Sequence, residues 1–156
     1  MELTSLDYTK LIAWIAAFKH RVILNKTQMQ KLLFMCYGQA LVLEDRPLFT
    51  DDTPKAWPFG PVFPRSYKHY EEVMPADLSL EEKNRYAQNI PLLQMIAKTV
   101  ADYCHISATR LSEWSHSKGS PWWNTVFSPK GSAWNREIPL DMIQDYFHSD
   151  GWRIGI

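Results

Sequence analysis

The chain has 156 residues, with 17 basic side chains balancing 17 acidic ones and 46% hydrophobic against 22% charged residues. That length suits a single domain burying roughly 70% of its unfolded surface, enough for a core without disulfides or metals, and the composition is that of a globular chain rather than a disordered or fibrous one. A net charge of zero lacks the basic excess of a nucleic-acid or membrane-surface binder, so neither partner is expected.

The N-terminal MELTSLDYTK is acidic where an export signal would be basic. Residues 7–20 are predicted as a first helix, because Leu11, Trp14, Ile15, Phe18 and Val22 recur at helical spacing. Ala13, Ala16 and Ala17 leave it little polar surface, which predicts burial on several sides. Asn25 is placed to cap a second helix over 26–44. Its apolar positions Met29, Leu32, Leu33, Cys36, Tyr37, Ala40 and Leu43 form the strongest periodic signal in the chain. Gly38 inside this helix disfavours it by about 1 kcal/mol relative to alanine and points to a close helix contact. The apolar runs LIAWIAAF and KLLFMCYGQALVL are too short to span a bilayer.

After residue 44 the pattern changes. The stretch EDRPLFTDDTPKAW predicts a β-hairpin around residues 47–57, with TDDT joining 47–49 to 55–57. AWPFGPVFPRSY follows, and Pro58, Pro61 and Pro64 exclude a regular helix or a central strand across it. A short helix is predicted over 64–72, and the capping box Ser79/Glu82 starts another running to about 89. Pro91 opens a helix with Leu93, Ile96, Ala97, Val100 and Cys104 on its apolar face. Helices over 107–117, from Pro121 with Ser120 as cap, and over 139–148 complete the chain. The fold class expected is mainly α: one compact multi-helix domain over 1–156 with one small β-hairpin.

Catalytic patterns mostly fail. The chain contains no phosphate-binding loop, dinucleotide fingerprint, zinc-protease motif or nucleophile elbow. One Ser-x-x-Lys occurs, SHSK at 115–118, which would place Lys118 one helical turn after a nucleophilic Ser115; its companion Lys-Thr-Gly is missing. A small hydrolase using Ser115 and Lys118 is therefore an alternative rather than the expectation, and the chain is expected not to be an enzyme. The five histidines show no helical-turn pairing with one another or with a cysteine, so no metal or other cofactor is expected. His116 reads as a last-turn residue facing the helix dipole, with a role in a binding groove as the alternative. Cys36 and Cys104 stand apart at apolar positions, where cysteine acts as a small hydrophobe, and suit a reducing compartment; a cytoplasmic protein is expected.

Four segments in order, MQKLLFMCYGQALVLEDRPLF, AWPFGPVFPRSY, LSEWSHSKGSPWW and IPLDMIQDYF, resemble the Panacea domain, which includes the SocA-type proteins. The match runs over nearly the whole chain, with departures at Met29, Lys55 and Ser66. The resemblance implies an antitoxin that neutralises a protein toxin encoded by a neighbouring gene, often in a prophage, by direct protein–protein binding. For SocA-type members it implies instead an adaptor that delivers a toxin to a protease.

A binder of this kind needs a preorganised surface, and rigid aromatic side chains lose little entropy on binding. Trp57, Phe59, Arg65, Tyr67, Trp122 and Trp123 are therefore the candidate partner-binding residues. A motif shared by members with unrelated toxins is better explained as scaffold, in which case specificity lies at less distinctive positions such as Asp51, Asp52, Lys55, Lys68 and His69. Trp14 and Trp114, on apolar faces, read as core.

Overall fold

The computed structural model describes residues 2–127 and 135–155. In chain order it contains α1 (Ser5–His20), α2 (Lys26–Glu44), β1 (Lys55–Trp57), β2 (Gly60–Val62), α3 (Pro64–His69), α4 (Leu80–Tyr86), α5 (Ile90–Tyr103), α6 (Ala108–Ser115), α7 (Pro121–Val126), β3 (Arg136–Glu137) and α8 (Leu140–His148), followed by a 3-10 turn at Asp150–Trp152. The fold is mainly α, as expected, and no described helix is long and apolar enough to cross a membrane.

Helix starts follow local chemistry. Thr4, Asn25 and Ser79 each accept from the backbone N–H three residues on, and the residue there (Asp7, Gln28 or Glu82) returns the bond to the cap's own N–H. Three reciprocal capping boxes thus fix the entry of α1, α2 and α4 by satisfying donors that helices leave open. Asn89, Ser107 and Ser120 cap α5, α6 and α7 by side-chain acceptance alone.

α2 runs through the middle of the molecule and is packed by α1, α5, α6, α8 and β2. Its expected apolar stripe is only part of what it buries, since Gln30, Lys31, Phe34 and Met35 are also inaccessible. A helix enclosed on all sides needs no polar face. Gly38 lies where α8 crosses, and a Cβ at this position would overlap the Phe147 ring. Leu43, at the far end, is exposed instead of buried.

The buried faces of α1 and α5 are rotated from those expected. α1 buries Leu11, Ile12, Ala13, Ile15, Ala16 and Ala17, while Phe18 is exposed and stacks on half-buried Trp14. The Trp14 indole donates to Asp77 at 2.7 Å, and the Lys19 and Lys83 ammoniums lie over its ring. α5 buries Leu92, Ile96, Thr99, Val100 and Tyr103 rather than centring on Leu93 and Ala97. In α1 alanines face the neighbouring helices and allow close approach, whereas α5 buries Thr99 among larger apolar side chains.

The hairpin lies further along the chain than expected. The strand at 55–57 is present but does not pair with 47–49. β1 pairs antiparallel with β2, in register Lys55↔Val62, Ala56↔Pro61 and Trp57↔Gly60. On its other edge β1 pairs with β3, Lys55↔Glu137 and Ala56↔Arg136. Leu48 and Phe49 enter the core instead. The reason lies in the acids of TDDT. The Asp51 carboxylate accepts from the Ser5 backbone N–H and hydroxyl, both at 2.7 Å, and Asp52 accepts from the Arg65 N–H at 2.7 Å. Those bonds fasten the segment to α1 and α3, so it closes no hairpin. The centre of the sheet, β1, contains none of the three prolines, and Pro61 sits on edge strand β2, where a missing N–H costs no ladder bond.

Candidate partner-binding face at the aromatic hairpin

Pro58 and Phe59 form the tip of the β1–β2 hairpin, and Gly60 closes it with φ of 114°, a conformation that side chains rarely adopt. Gly60 is also the point of closest approach to the core. A Cβ there would overlap the Ser115 hydroxyl and stand 2.8 Å from Lys31 Cε. The hairpin thus lies directly on α2 and the end of α6.

Four polar side chains hold it from beneath. Lys31 is fully buried, and its Nζ donates to the Pro61 carbonyl at 3.3 Å. Burial lowers its pKa to about 7, since a low-dielectric surrounding penalises the charged amine. Gln30 accepts from the Phe63 N–H at 2.9 Å and donates to the Ser66 hydroxyl at 3.1 Å. The Trp122 indole donates to the Trp57 carbonyl at 2.7 Å. The His116 ring packs 4.3 Å from Trp122, and its Nε2 is buried with no hydrogen-bond partner among the described residues. Burial, with the Lys31 charge as a lesser cause, pushes the His116 pKa down, and the Pro58 carbonyl opposes the shift.

The outer surface is aromatic. Trp57 lies edge-on to Tyr67 at 5.3 Å and to Phe59 at 6.5 Å, and the Lys26 ammonium sits 4.5 Å over the Tyr67 ring. The Trp57 indole donates to Asn135 at 3.1 Å, which holds the ring in one orientation. Phe59 is 44% exposed at the tip. Trp123, half-buried, packs 4.3 Å from Phe127, which is 59% exposed and also meets Trp122.

The six candidate contact residues therefore divide. Trp57, Phe59 and Tyr67 come together on one face. Trp123 lies on α7 beside Phe127, a residue that the sequence reading did not single out. Trp122 is buried and supports the hairpin from below. Arg65 is exposed, with its Nε 3.6 Å from the Asp51 carboxylate.

Among the five candidate specificity residues, Asp51 and Asp52 are committed to backbone donors. Asp52 accepts from Arg65, Thr53 and Ser66, yet burial outweighs these bonds and raises its pKa. Lys55 pairs with Glu137 across β1 and β3 at 3.3 Å. Hydrogen bonds from Thr53 and then Lys55 hold the Glu137 carboxyl below its usual range. Lys68 and His69 are exposed at the end of α3.

The Ser115/Lys118 pairing does not form a catalytic arrangement. Ser115 is buried, and its hydroxyl donates to the Ser112 carbonyl at 2.8 Å, whereas Lys118 is exposed. The amine placed near Ser115 is Lys31, beneath Gly60. Among the described residues, no three metal-ligating side chains gather at this face.

A family model described as antitoxin SocA-like, Panacea domain, matches residues 29–123. The matched span includes Gln30, Lys31, the whole hairpin, Ser115, His116 and Trp122. No curated protein and no solved structure matches the chain.

Proposed function

The chain belongs to the SocA-like, Panacea-domain antitoxin family, and on that premise we propose that it neutralises a protein toxin in the cytoplasm by binding it directly through the aromatic hairpin face. The observation that carries this reading is the rigid, externally aromatic hairpin. Trp57, Phe59 and Tyr67 stand on a segment fastened to the core by Lys31, Gln30 and Trp122. Rings held in one orientation before contact lose little freedom when a partner arrives, and tryptophan and tyrosine are the residue types that dominate interface energetics. The role is binding rather than catalysis. The toxin is the product of a neighbouring gene, and Trp123, Arg65, Lys68 and His69 extend the contact around the aromatic centre.

Co-expression with the neighbouring reading frame tests this. The wild type is expected to rescue growth and to co-purify with that product. Phe59→Ala, at an exposed tip, is expected to lose at least tenfold in affinity while leaving thermal stability within about 0.5 kcal/mol of wild type. A neighbouring product that is harmless when expressed alone overturns the antitoxin reading. Undiminished binding by Phe59→Ala and Trp57→Ala together overturns the hairpin as the contact. Toxin that persists at full level while neutralised indicates occlusion, and toxin that disappears only in a protease-competent host indicates delivery for degradation.

A further inference from the structure

The C-terminal ends of α1 and α5 meet, and three nitrogen and sulfur donors gather between them. His20 is the last residue of α1, Cys104 is the C-cap of α5, and His105 follows it. One ligand atom from each lies within 4.8 Å of the other two. The two imidazoles sit edge to face with centroids 6.3 Å apart, and neither forms a hydrogen bond among the described residues. Cys104 is buried, His20 half-buried and His105 exposed.

We propose that His20, Cys104 and His105 form a Zn2+ site with its fourth position open to water. Two imidazoles and a thiolate make up a borderline-soft donor set suited to zinc, and no carboxylate belongs to the group to favour Mg2+ or Ca2+. Zinc bonds of about 2.0–2.1 Å to nitrogen and 2.3 Å to sulfur place tetrahedral donors about 3.3–3.6 Å apart. The donors therefore need to close by no more than about 1.5 Å on binding. Cys104 is the fixed member, buried and with its N–H bonded to the Val100 carbonyl at 2.9 Å. The two imidazoles, one half-buried and one exposed, make the adjustment. Two helices direct their negative ends at the same point, a contribution that favours a cation beside the Lys19 and Arg21 charges at the end of α1. On binding, the Cys104 thiol gives its proton to solvent and the sulfur becomes a thiolate ligand. The ion would staple α1 to α5 independently of any toxin contact and stabilise only the folded chain.

Co2+ titration of tag-free, reduced full-length protein tests the site. One Co2+ per chain is expected, with a thiolate-to-cobalt charge-transfer band in the near ultraviolet, strong visible bands of a tetrahedral ion, and displacement by Zn2+. Cys104→Ser is expected to remove the charge-transfer band and Cys36→Ser to keep it. His20→Ala with His105→Ala is expected to weaken Zn2+ binding at least tenfold. Neither histidine is buried in the core, so this double variant decides the question even where Cys104→Ser fails to fold. Absence of the charge-transfer band in the wild type at micromolar metal overturns the proposal, as does its persistence in Cys104→Ser or undiminished Zn2+ binding by the double histidine variant.

Discussion

Lys31 shows how a single residue can be costly to the fold and still give it specificity. A buried amine with one carbonyl partner is poorly compensated for the water that it loses. Its folded pKa lies near 7 against an ordinary 10.5. The cost is complete below about pH 7, where the amine is charged both folded and unfolded. It declines as pH rises towards 10.5, where both forms are neutral. Stability is therefore expected to increase between pH 7 and about 9. The His116 shift acts only below its ordinary value of 6.5, the burial-raised thiols of Cys36 and Cys104 oppose the trend from about 9 upward, and the burial-raised hydroxyls of Tyr8, Tyr37 and Tyr70 oppose it above 10. Lys31→Met keeps the volume and removes the charge. Urea denaturation is expected to show it roughly 1–3 kcal/mol more stable at pH 7, with the rise towards pH 9 abolished. A wild-type profile flat over that range would refute the assignment. Lysine at this position was visible in the sequence, but its burial was not. It follows Gln30 in a helix whose apolar period is otherwise regular, and a charge there reads as a solvated side chain until the hairpin is seen to cover it.

At the scale of elements, caps and breakers were legible and pairings were not. Asn25, Ser79 and Ser120 cap where expected, because a cap is satisfied within four residues of chain. The hairpin was placed one strand too early because TDDT satisfies the composition of a turn. Its carboxylates are taken by donors on α1 and α3, which no local pattern reveals. The rotated faces of α1 and α5 have a related origin. Period 3.6 gives the angle between apolar residues but not which flank meets a neighbour, and alanine in α1 allows closer packing than leucine. The hairpin itself depends on the absence of a side chain at one position. Gly60→Ala introduces a Cβ at φ of 114° against the Ser115 hydroxyl and Lys31. A loss of roughly 2–4 kcal/mol is expected in thermal or urea unfolding. Toxin binding is expected to weaken further than that loss explains, since the rings move with the strand.

Across the whole molecule, α2 couples the parts. α1, α5, α6, α8 and β2 pack on it, and no second core is present among the described residues. Unfolding is therefore expected to be a single transition, with tryptophan fluorescence and far-ultraviolet circular dichroism giving coincident curves. A separate early fluorescence transition would show that the hairpin and α7 form an independent unit. The family segments are also explained at this scale. The MQKLLF helix, AWPFGPVFPRSY and LSEWSHSKGSPWW are far apart in sequence, yet they meet where Lys31, Gly60, Ser115 and Trp122 pack under the hairpin.

The sequence by itself determined the mainly helical class, most helix starts and the family, because these depend on local periodicity, caps and motif order. Only the tertiary structure decided which strand pairs with which, which tryptophan is buried and which half-buried, and which lysine is buried. It also brought His20 to the adjacent pair Cys104 and His105, which lie far from it in the chain. Each of these depends on contacts between distant segments, where a side chain's surroundings are set by whatever packs against it rather than by its neighbours in sequence.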